Sequence, residues 1–202
     1  MFPDEIEGKG KIMLKRCVSS VLFAGSVLVS SFAFSSLNAH AADQKNPSKP
    51  VISEVRLGLS AHGIGSREEG LTNVSGALLF QKVSLGAAPE SFLSPRPHIG
   101  FSASRKTSAA YAGFTWTYDF AAPVFIELEF GGALNNGTAR GSVAKGTNAM
   151  GCPLTFREGM NIGYRITPSV SVMLTGEHMS NANLCTGNTG LTNVGLRIGY
   201  QF

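Results

Sequence analysis

The sequence carries little charge: only 15% of its 202 residues are Asp, Glu, Lys or Arg, against about 25% in a typical soluble domain. The 17 basic and 13 acidic residues leave a net charge of only +4. Beyond the N-terminal region the only adjacent basic pair is Arg105-Lys106. Charge this weak and dispersed argues against nucleic-acid binding. Together with 24 Gly and 13 Phe, it is also untypical of a helical bundle, a disordered chain or a cytosolic enzyme.

Cysteine and histidine are equally scarce, with three Cys and four His in the whole chain. His62 and His98 lie far from each other and from any pair of Cys, so the spacing that a zinc site requires is missing. We therefore predict no metal site.

The N-terminus has the composition of an export signal. Lys and Arg residues at 9, 11, 15 and 16 precede an apolar run over 18–34, and a small-residue site, Ala39-His40-Ala41, follows. This pattern predicts a signal peptide over residues 1–41, with translation starting at Met1 or at Met13. A retained transmembrane helix is the alternative.

Removal of the signal leaves Cys152 and Cys185 in an oxidising compartment, where a disulfide is expected, although the sequence alone does not prove the pairing.

After a polar lead-in over 42–50, apolar and polar residues alternate with a period of two, and helical spacing is missing. In the segment 124–130, for example, the even positions are apolar while Glu127 and Glu129 share the other face. Such runs predict eight strands, near 51–62, 73–84, 95–104, 109–120, 123–134, 154–166, 169–180 and 191–202.

Most of these strands reach the ~9–11 residues that a tilted strand needs to cross a bilayer. Eight strands form the smallest closed barrel of bacterial outer membranes, and closure satisfies every backbone group that lipid cannot. We therefore predict an all-β fold, an eight-stranded antiparallel transmembrane barrel over 51–202, with the charged residues Glu127, Glu129, Arg157, Arg165 and Arg197 inside. The alternative is a secreted soluble barrel with the two faces exchanged, because periodicity does not distinguish inside from outside.

Connector lengths predict the orientation, because outer-membrane barrels have short periplasmic turns and longer external loops. The segments around 121–122 and 167–168 are short, whereas 135–151 and 181–190 are long. Cys152 and Cys185 then flank external loops at one end of the barrel. The connector over 85–94 is longer than this rule prefers, which makes strand two the least certain.

The seventh strand ends in a polar segment, Glu177-His178-Met179-Ser180-Asn181. The i, i+2 spacing puts His178 and Ser180 on one face of a strand, where a His can act as general base for a Ser nucleophile. Continuing the alternation of Val172 and Leu174 places both residues on the lipid-facing side near the external end. Polar residues there fit an enzyme that acts on a lipid ester, although a polar pair at a barrel rim can also simply mark the water boundary.

The same segment carries a family resemblance. His178-Met179-Ser180-Asn181-Ala182, then Asn188-Thr189-Gly190 and a last strand ending in Phe202, resembles the signature of the lipid A 3-O-deacylase (PagL-type) family, and Ser53–Gly58 resembles the opening of its first strand. The resemblance implies an eight-stranded outer-membrane barrel that removes the ester-linked acyl chain at position 3 of lipid A without a cofactor.

By the same resemblance, Ser180 would be the nucleophile, His178 the general base and Asn181, by its side chain or its amide, the oxyanion donor. The family places an acid two residues after the glycine of N-x-G, where this sequence has Thr192. Alternation puts Thr192 on the outer face, where its hydroxyl is expected to hydrogen-bond His178 across the strand pair and orient the ring, but a hydroxyl does not compensate an imidazolium charge. Glu177 is a poorer substitute, because alternation points it into the lumen.

We therefore expect an outer-membrane esterase acting on lipid A of lipopolysaccharide, as a monomer or homodimer. The main alternative is a non-catalytic structural or adhesive barrel in which the H-x-S-N-A segment is a relic. A periplasmic lipid-binding barrel is a third hypothesis.

Overall fold

The chain folds into a closed barrel of eight antiparallel strands. A computed structural model describes residues 50–84, 93–120, 123–139 and 143–202, so the predicted signal peptide and most of the lead-in lie outside the described residues. The strands are β1 (Ile52–His62), β2 (Leu71–Phe80), β3 (Arg96–Ala103), β4 (Ala109–Asp119), β5 (Val124–Asn135), β6 (Leu154–Arg165), β7 (Val170–Ser180) and β8 (Leu191–Gln201). None of the described residues belongs to a helix long and apolar enough to span a membrane.

Each strand pairs with the next along the chain, and β1 pairs with β8 to close the barrel. Seven of the eight predicted strands agree with the structure to within one residue at either end. The prediction for the second strand, 73–84, is wrong at its C-terminal end, because β2 stops at Phe80. Pro95 lies opposite this extension and has no amide to donate, so the regular ladder ends there, although the Val83 N–H still donates to the Pro95 carbonyl (2.9 Å).

The two faces of the barrel have opposite chemistry. Most of the large apolar side chains on the strands point outward, as Leu57, Leu128 and Leu196 do, whereas a smaller set that includes Leu79 and Phe125 is buried inside. The predicted exterior is therefore confirmed, and the soluble alternative, which needs an apolar lumen, is excluded. A continuous apolar outer surface is what lipid requires of a barrel.

The lumen contains a network of buried charges. Four arginines and four glutamates form one network there, in which Arg56 bridges Glu54 and Glu127 at 2.7 Å each, and Arg157 contacts Glu129 at 2.9 Å. The remaining members are Arg96, Arg197 and Glu177. Equal numbers of opposite charges with good hydrogen-bond geometry offset the cost of removing these groups from water. The interior of an eight-stranded barrel is thus a packed core and not a channel.

The two ends of the barrel differ in their connections. The end at which β7 finishes carries the connections 63–70, 104–108, 136–153 and 181–190, whereas 120–123 and 166–169 at the other end are tight. The connector 81–95, also at that second end, is described only in part. Long connections mark the external side of an outer-membrane barrel, so His178 and Ser180 lie near the external rim.

Candidate active site

The outward row of β7 changes from apolar to polar as the strand approaches the rim. Val172 and Leu174 face the exterior with 38% and 54% exposure, followed by Gly176, His178 and Ser180, which are half-exposed. The intervening residues Met173, Thr175, Glu177 and Met179 are buried in the lumen. The predicted direction of His178 and Ser180, away from the lumen, is therefore confirmed.

His178 is held by a neighbour on the adjacent strand. It is the register partner of Thr192 on β8, and its Nδ1 shares a hydrogen bond of 2.9 Å with the Thr192 hydroxyl. The contact expected between these two side chains is present. Because Nδ1 is engaged, Nε2 is the ring atom that remains for a proton transfer.

The Nε2 edge of the imidazole lies over Gly190, the residue just before β8. A Cβ atom at position 190 would lie 2.9 Å from His178 Cε1 and 3.3 Å from Nε2, and the φ angle there is +69°. Gly190 immediately precedes Leu191, which is paired with Met179. It therefore lies one position nearer the rim, on the side of Ser180. The ring therefore inclines toward the rim, where Ser180 lies, and the glycine of N-x-G leaves the space that it needs.

Asn181 is buried, and its donors are already engaged. Its side-chain amide donates to the carbonyls of Met150 (2.9 Å) and Gly187 (2.8 Å). Its backbone N–H donates to Oδ1 of Asn188 at 3.0 Å. The side chain thus anchors the loops through two backbone carbonyls, whereas the backbone N–H, adjacent to Ser180, donates to a side-chain oxygen, an acceptor that an oxyanion could replace.

The two loops beside Ser180 are joined to each other. Cys152 and Cys185 form the disulfide that was expected from their number. Between the same loops, the Thr189 N–H donates to the Ala149 carbonyl (2.9 Å). The loop that follows Ser180 is therefore fixed at several points, which limits how far the rim can move.

Two shallow depressions flank the polar row on the outer surface. One, of about 240 Å³, lies on the β5–β6 side at the rim and is almost entirely apolar; Phe156, the register partner of Ser180, forms part of it. Its other apolar walls are Phe130, Leu154 and Leu184. The second depression, of about 280 Å³, lies below the first and is lined by Glu158, Met160, Gly176, His178 and Thr192.

Glu177 does not belong to this site. Its carboxylate is buried in the lumen, 2.6 Å from a guanidinium nitrogen of Arg157, and it also accepts from the Asn193 amide at 2.9 Å. The lumenal, structural position expected for Glu177 is confirmed. Within the described ranges, no group of three or more His, Cys, Asp or Glu side chains is arranged to hold a metal ion.

One residue of this surface was missed by the sequence analysis. Glu158 on β6 faces outward and is the register partner of His178. Its charge is masked in the sequence pattern by the apolar residues on either side of it in the same row. The alternation does mark it: the even positions of this strand face outward, and Glu158 is the charged residue among Leu154, Phe156, Met160 and Ile162.

Known proteins resemble this chain in sequence and in fold. The sequence profile of the family described as lipid A 3-O-deacylase (PagL) matches residues 81–201. No protein of curated function matches the sequence. Among solved structures, the crystal structure of the outer membrane enzyme PagL is similar at 20% identity, with a TM-score of 0.58, covering 74% of this chain and 100% of that one.

Two further barrels are similar at lower scores. The N-terminal β-barrel domain of Pseudomonas aeruginosa OprF has 11% identity and a TM-score of 0.48, covering 75% of this chain and 98% of its own. Neisserial surface protein A has 10% identity and a TM-score of 0.46, covering 75% and 96%.

Proposed function

This chain belongs to the lipid A 3-O-deacylase (PagL) family, whose profile matches more than half of it, and we propose that it hydrolyses the 3-O-linked acyl ester of lipid A with Ser180 as nucleophile and His178 as general base. The family and the barrel fold make it an outer-membrane protein. The residue roles are the part of the proposal that experiment has to test.

The observation that carries the proposal is the outward direction of the polar pair. An enzyme for a water-soluble substrate gains nothing from a Ser and a His on the lipid-facing side of a barrel. Here they lie at the external rim, beside an apolar depression formed by Phe130, Leu154, Phe156 and Leu184. A lipid in the outer leaflet would bring its ester to Ser180 and an acyl chain to the depression without leaving the membrane.

The chemistry follows from the atoms at the site. As Ser180 Oγ bonds to the ester carbon, its proton passes to Nε2 of His178, while Thr192 holds Nδ1 and so fixes the ring. The carbonyl oxygen becomes an oxyanion, which accepts from the backbone N–H of Asn181 in place of Asn188 Oδ1.

Collapse of this intermediate breaks the ester C–O bond, and His178 gives its proton to the departing sugar oxygen, which leaves as a free hydroxyl. A water molecule then attacks the acyl-Ser180 ester while His178 takes its proton. As the bond between the acyl carbon and Ser180 Oγ breaks, His178 returns that proton to Oγ and the fatty acid is released. Every group used is a side chain, a backbone amide or water.

Replacing Ser180 with alanine tests these roles. We expect Ser180→Ala to fold and reach the outer membrane, since Ser180 faces outward and its hydroxyl is not needed for packing. The mass of lipid A from cells expressing the wild type should fall by one hydroxyacyl chain, and cells expressing Ser180→Ala should show no such loss.

Ser171→Ala, on the same strand but far from the rim, is the matched control and should retain activity. Unchanged activity in Ser180→Ala would refute the assigned nucleophile.

The alternative of a non-catalytic barrel rests on one observation. The neighbour on His178 Nδ1 is a neutral hydroxyl, which leaves an imidazolium uncompensated at that position. On this hypothesis the wild type itself would leave lipid A unchanged, so the same mass measurement separates the two functions.

A further inference from the structure

A single carboxylate interrupts the lipid-facing surface of β6. The outward positions of this strand are otherwise apolar, at Leu154, Phe156, Met160, Ile162 and Tyr164, whereas Glu158 lies exposed among them. A charge on the lipid-facing side of a barrel is costly, and an ionisable group there is a reason to look for a function and for its partner.

The registers of three strands put that carboxylate beside His178. Glu158 on β6 is paired with His178 on β7, and His178 is paired with Thr192 on β8. All three side chains face outward and line the same depression. Directly paired residues in an antiparallel sheet have Cβ atoms about 4.5–5.5 Å apart, so a glutamate side chain can reach the imidazole.

Glu158 differs from the glutamates of the lumen in having no other role. Each lumenal glutamate accepts hydrogen bonds from arginines, as Glu127 does from Arg56 and Arg96. Among the described residues, by contrast, no hydrogen bond or ion pair engages the Glu158 carboxylate. Neither packing nor charge pairing within the barrel accounts for an acid at this position.

The proposed mechanism leaves a need that this carboxylate meets. When His178 takes the Ser180 proton, the imidazole becomes a cation at the edge of a low-dielectric medium. A Ser and His pair ordinarily relies on a third group that orients the base and stabilises its charged form. Thr192 supplies the orientation through Nδ1 but has no charge to offer.

We propose that Glu158 is a positioning residue for His178, and that the two tasks usually combined in one acid are divided here between two strands. Thr192 on β8 orients the ring, while Glu158 on β6 compensates the imidazolium. The carboxylate stays ionised throughout: the proton moves from Ser180 Oγ to His178 Nε2 as the Oγ–C bond forms, and then to the departing alcohol oxygen as the ester bond breaks. This inference rests on the proposed function.

The test uses the purified, detergent-folded full-length barrel with lipid A as substrate, and follows release of the hydroxy fatty acid. We expect Glu158→Gln to lower kcat by about 10- to 100-fold with KM nearly unchanged, because the lost charge acts only once the imidazolium forms. Glu158→Asp should recover part of the rate. Glu69→Gln, an exposed loop glutamate, is the matched control and should leave the rate unchanged.

A second variant distinguishes charge compensation from a structural effect. Adding Thr192→Glu to Glu158→Gln places a carboxylate on the other side of the same imidazole, and should restore kcat by at least tenfold over the single variant. The folded fraction, read from the heat-dependent shift of the barrel on a gel, should be equal in all variants.

The outcomes separate the two proposals. An inactive wild type would refute the proposed function itself. An active wild type with full activity in Glu158→Gln would refute only the role of Glu158. A loss that Thr192→Glu does not repair, or a rise in KM with constant kcat, would assign Glu158 to folding or to substrate binding and would equally overturn the inference.

Discussion

At the scale of single residues, Gly190 shows how a missing side chain defines the site. The φ angle of +69° is in the left-handed region, and a Cβ there would lie within 3.3 Å of two ring atoms of His178. We expect Gly190→Ala to displace the imidazole and lower kcat by about 10²-fold, the loss typical of a misplacement of about 1 Å. The measurement is fatty-acid release by the purified variant.

Gly65 provides the control for backbone strain. It has nearly the same φ, +70°, but nothing within 4 Å of the position where its Cβ would lie. Gly65→Ala therefore carries the same conformational cost, about 1–2 kcal/mol, without touching the site. If both variants lose activity equally, strain and not the position of His178 is the cause.

The residues of the site were predictable to different degrees for physical reasons. Alternation puts His178 and Ser180 on one face of their strand, and the export signal and the strand lengths, which favour a membrane barrel, indicate that this face is the outer one. The contact between His178 and Thr192 also required that β7 and β8 pair with each other. The engagement of the Asn181 amide by Met150 and Gly187 depends on how two loops pack, and no local pattern encodes that. To place Glu158 beside His178, one must know the register of β6 against β7. Alternation shows that both side chains lie on the outer face, but not that they are paired.

At the scale of elements, the external loops are held by one buried carboxylate. Glu68, between β1 and β2, accepts hydrogen bonds from the Thr107 hydroxyl (2.8 Å) and the Asn148 N–H (2.9 Å), and its Oε2 lies 2.9 Å from His62 Nε2. Burial disfavours its charged form, but the hydrogen bonds from Asn148, His62 and Thr107 outweigh burial and hold its pKa below the usual value. Three loops are thereby tied to one ionised group.

This arrangement predicts an acid-sensitive rim. A carboxylate with a lowered pKa in the folded state contributes stability that is complete above its unfolded pKa of about 4.3 and is lost as the pH falls through the lower folded value. We expect Glu68→Gln to cost about 2 kcal/mol at neutral pH. The difference in unfolding temperature between wild type and variant, followed by circular dichroism, should shrink as the pH falls below 4.

Because the other carboxylates titrate in both proteins, only this difference reports on Glu68. A difference that stays constant from pH 7 to pH 3 would show that the ionisation of Glu68 does not hold the loops.

Strands were easier to predict than their connections. The alternation over 124–130 and 170–175 defines β5 and β7 because one face must meet lipid and the other must meet charge. The end of β2 was missed because Pro95, on the opposite side of a long connector, ends the regular pairing, and residues 81–84 themselves give no sign of it. Strand pairing is a property of two segments, and one segment read alone does not reveal its partner.

At the scale of the whole molecule, the barrel has its polar groups inside and its apolar groups outside. Its core combines the ion-pair network around Arg56, Arg157 and Glu129 with a buried apolar cluster that includes Leu79 and Leu191. Side chains occupy most of the inside of such a small barrel, and the cavity of about 400 Å³ at the end opposite the rim is lined by charged residues such as Glu54 and Arg56. A site for a lipid is therefore expected on the outer wall or at the rim. The row from Val172 to Ser180 is where that wall changes from apolar to polar.

The central claim is that this outer row hydrolyses a lipid ester at the membrane surface, and one measurement tests it most directly. Purified, folded wild-type barrel is incubated in detergent with lipid A, and the products are analysed by mass spectrometry. The account predicts lipid A lighter by one hydroxyacyl chain, together with the free hydroxy fatty acid. Intact lipid A after incubation with correctly folded protein would contradict it.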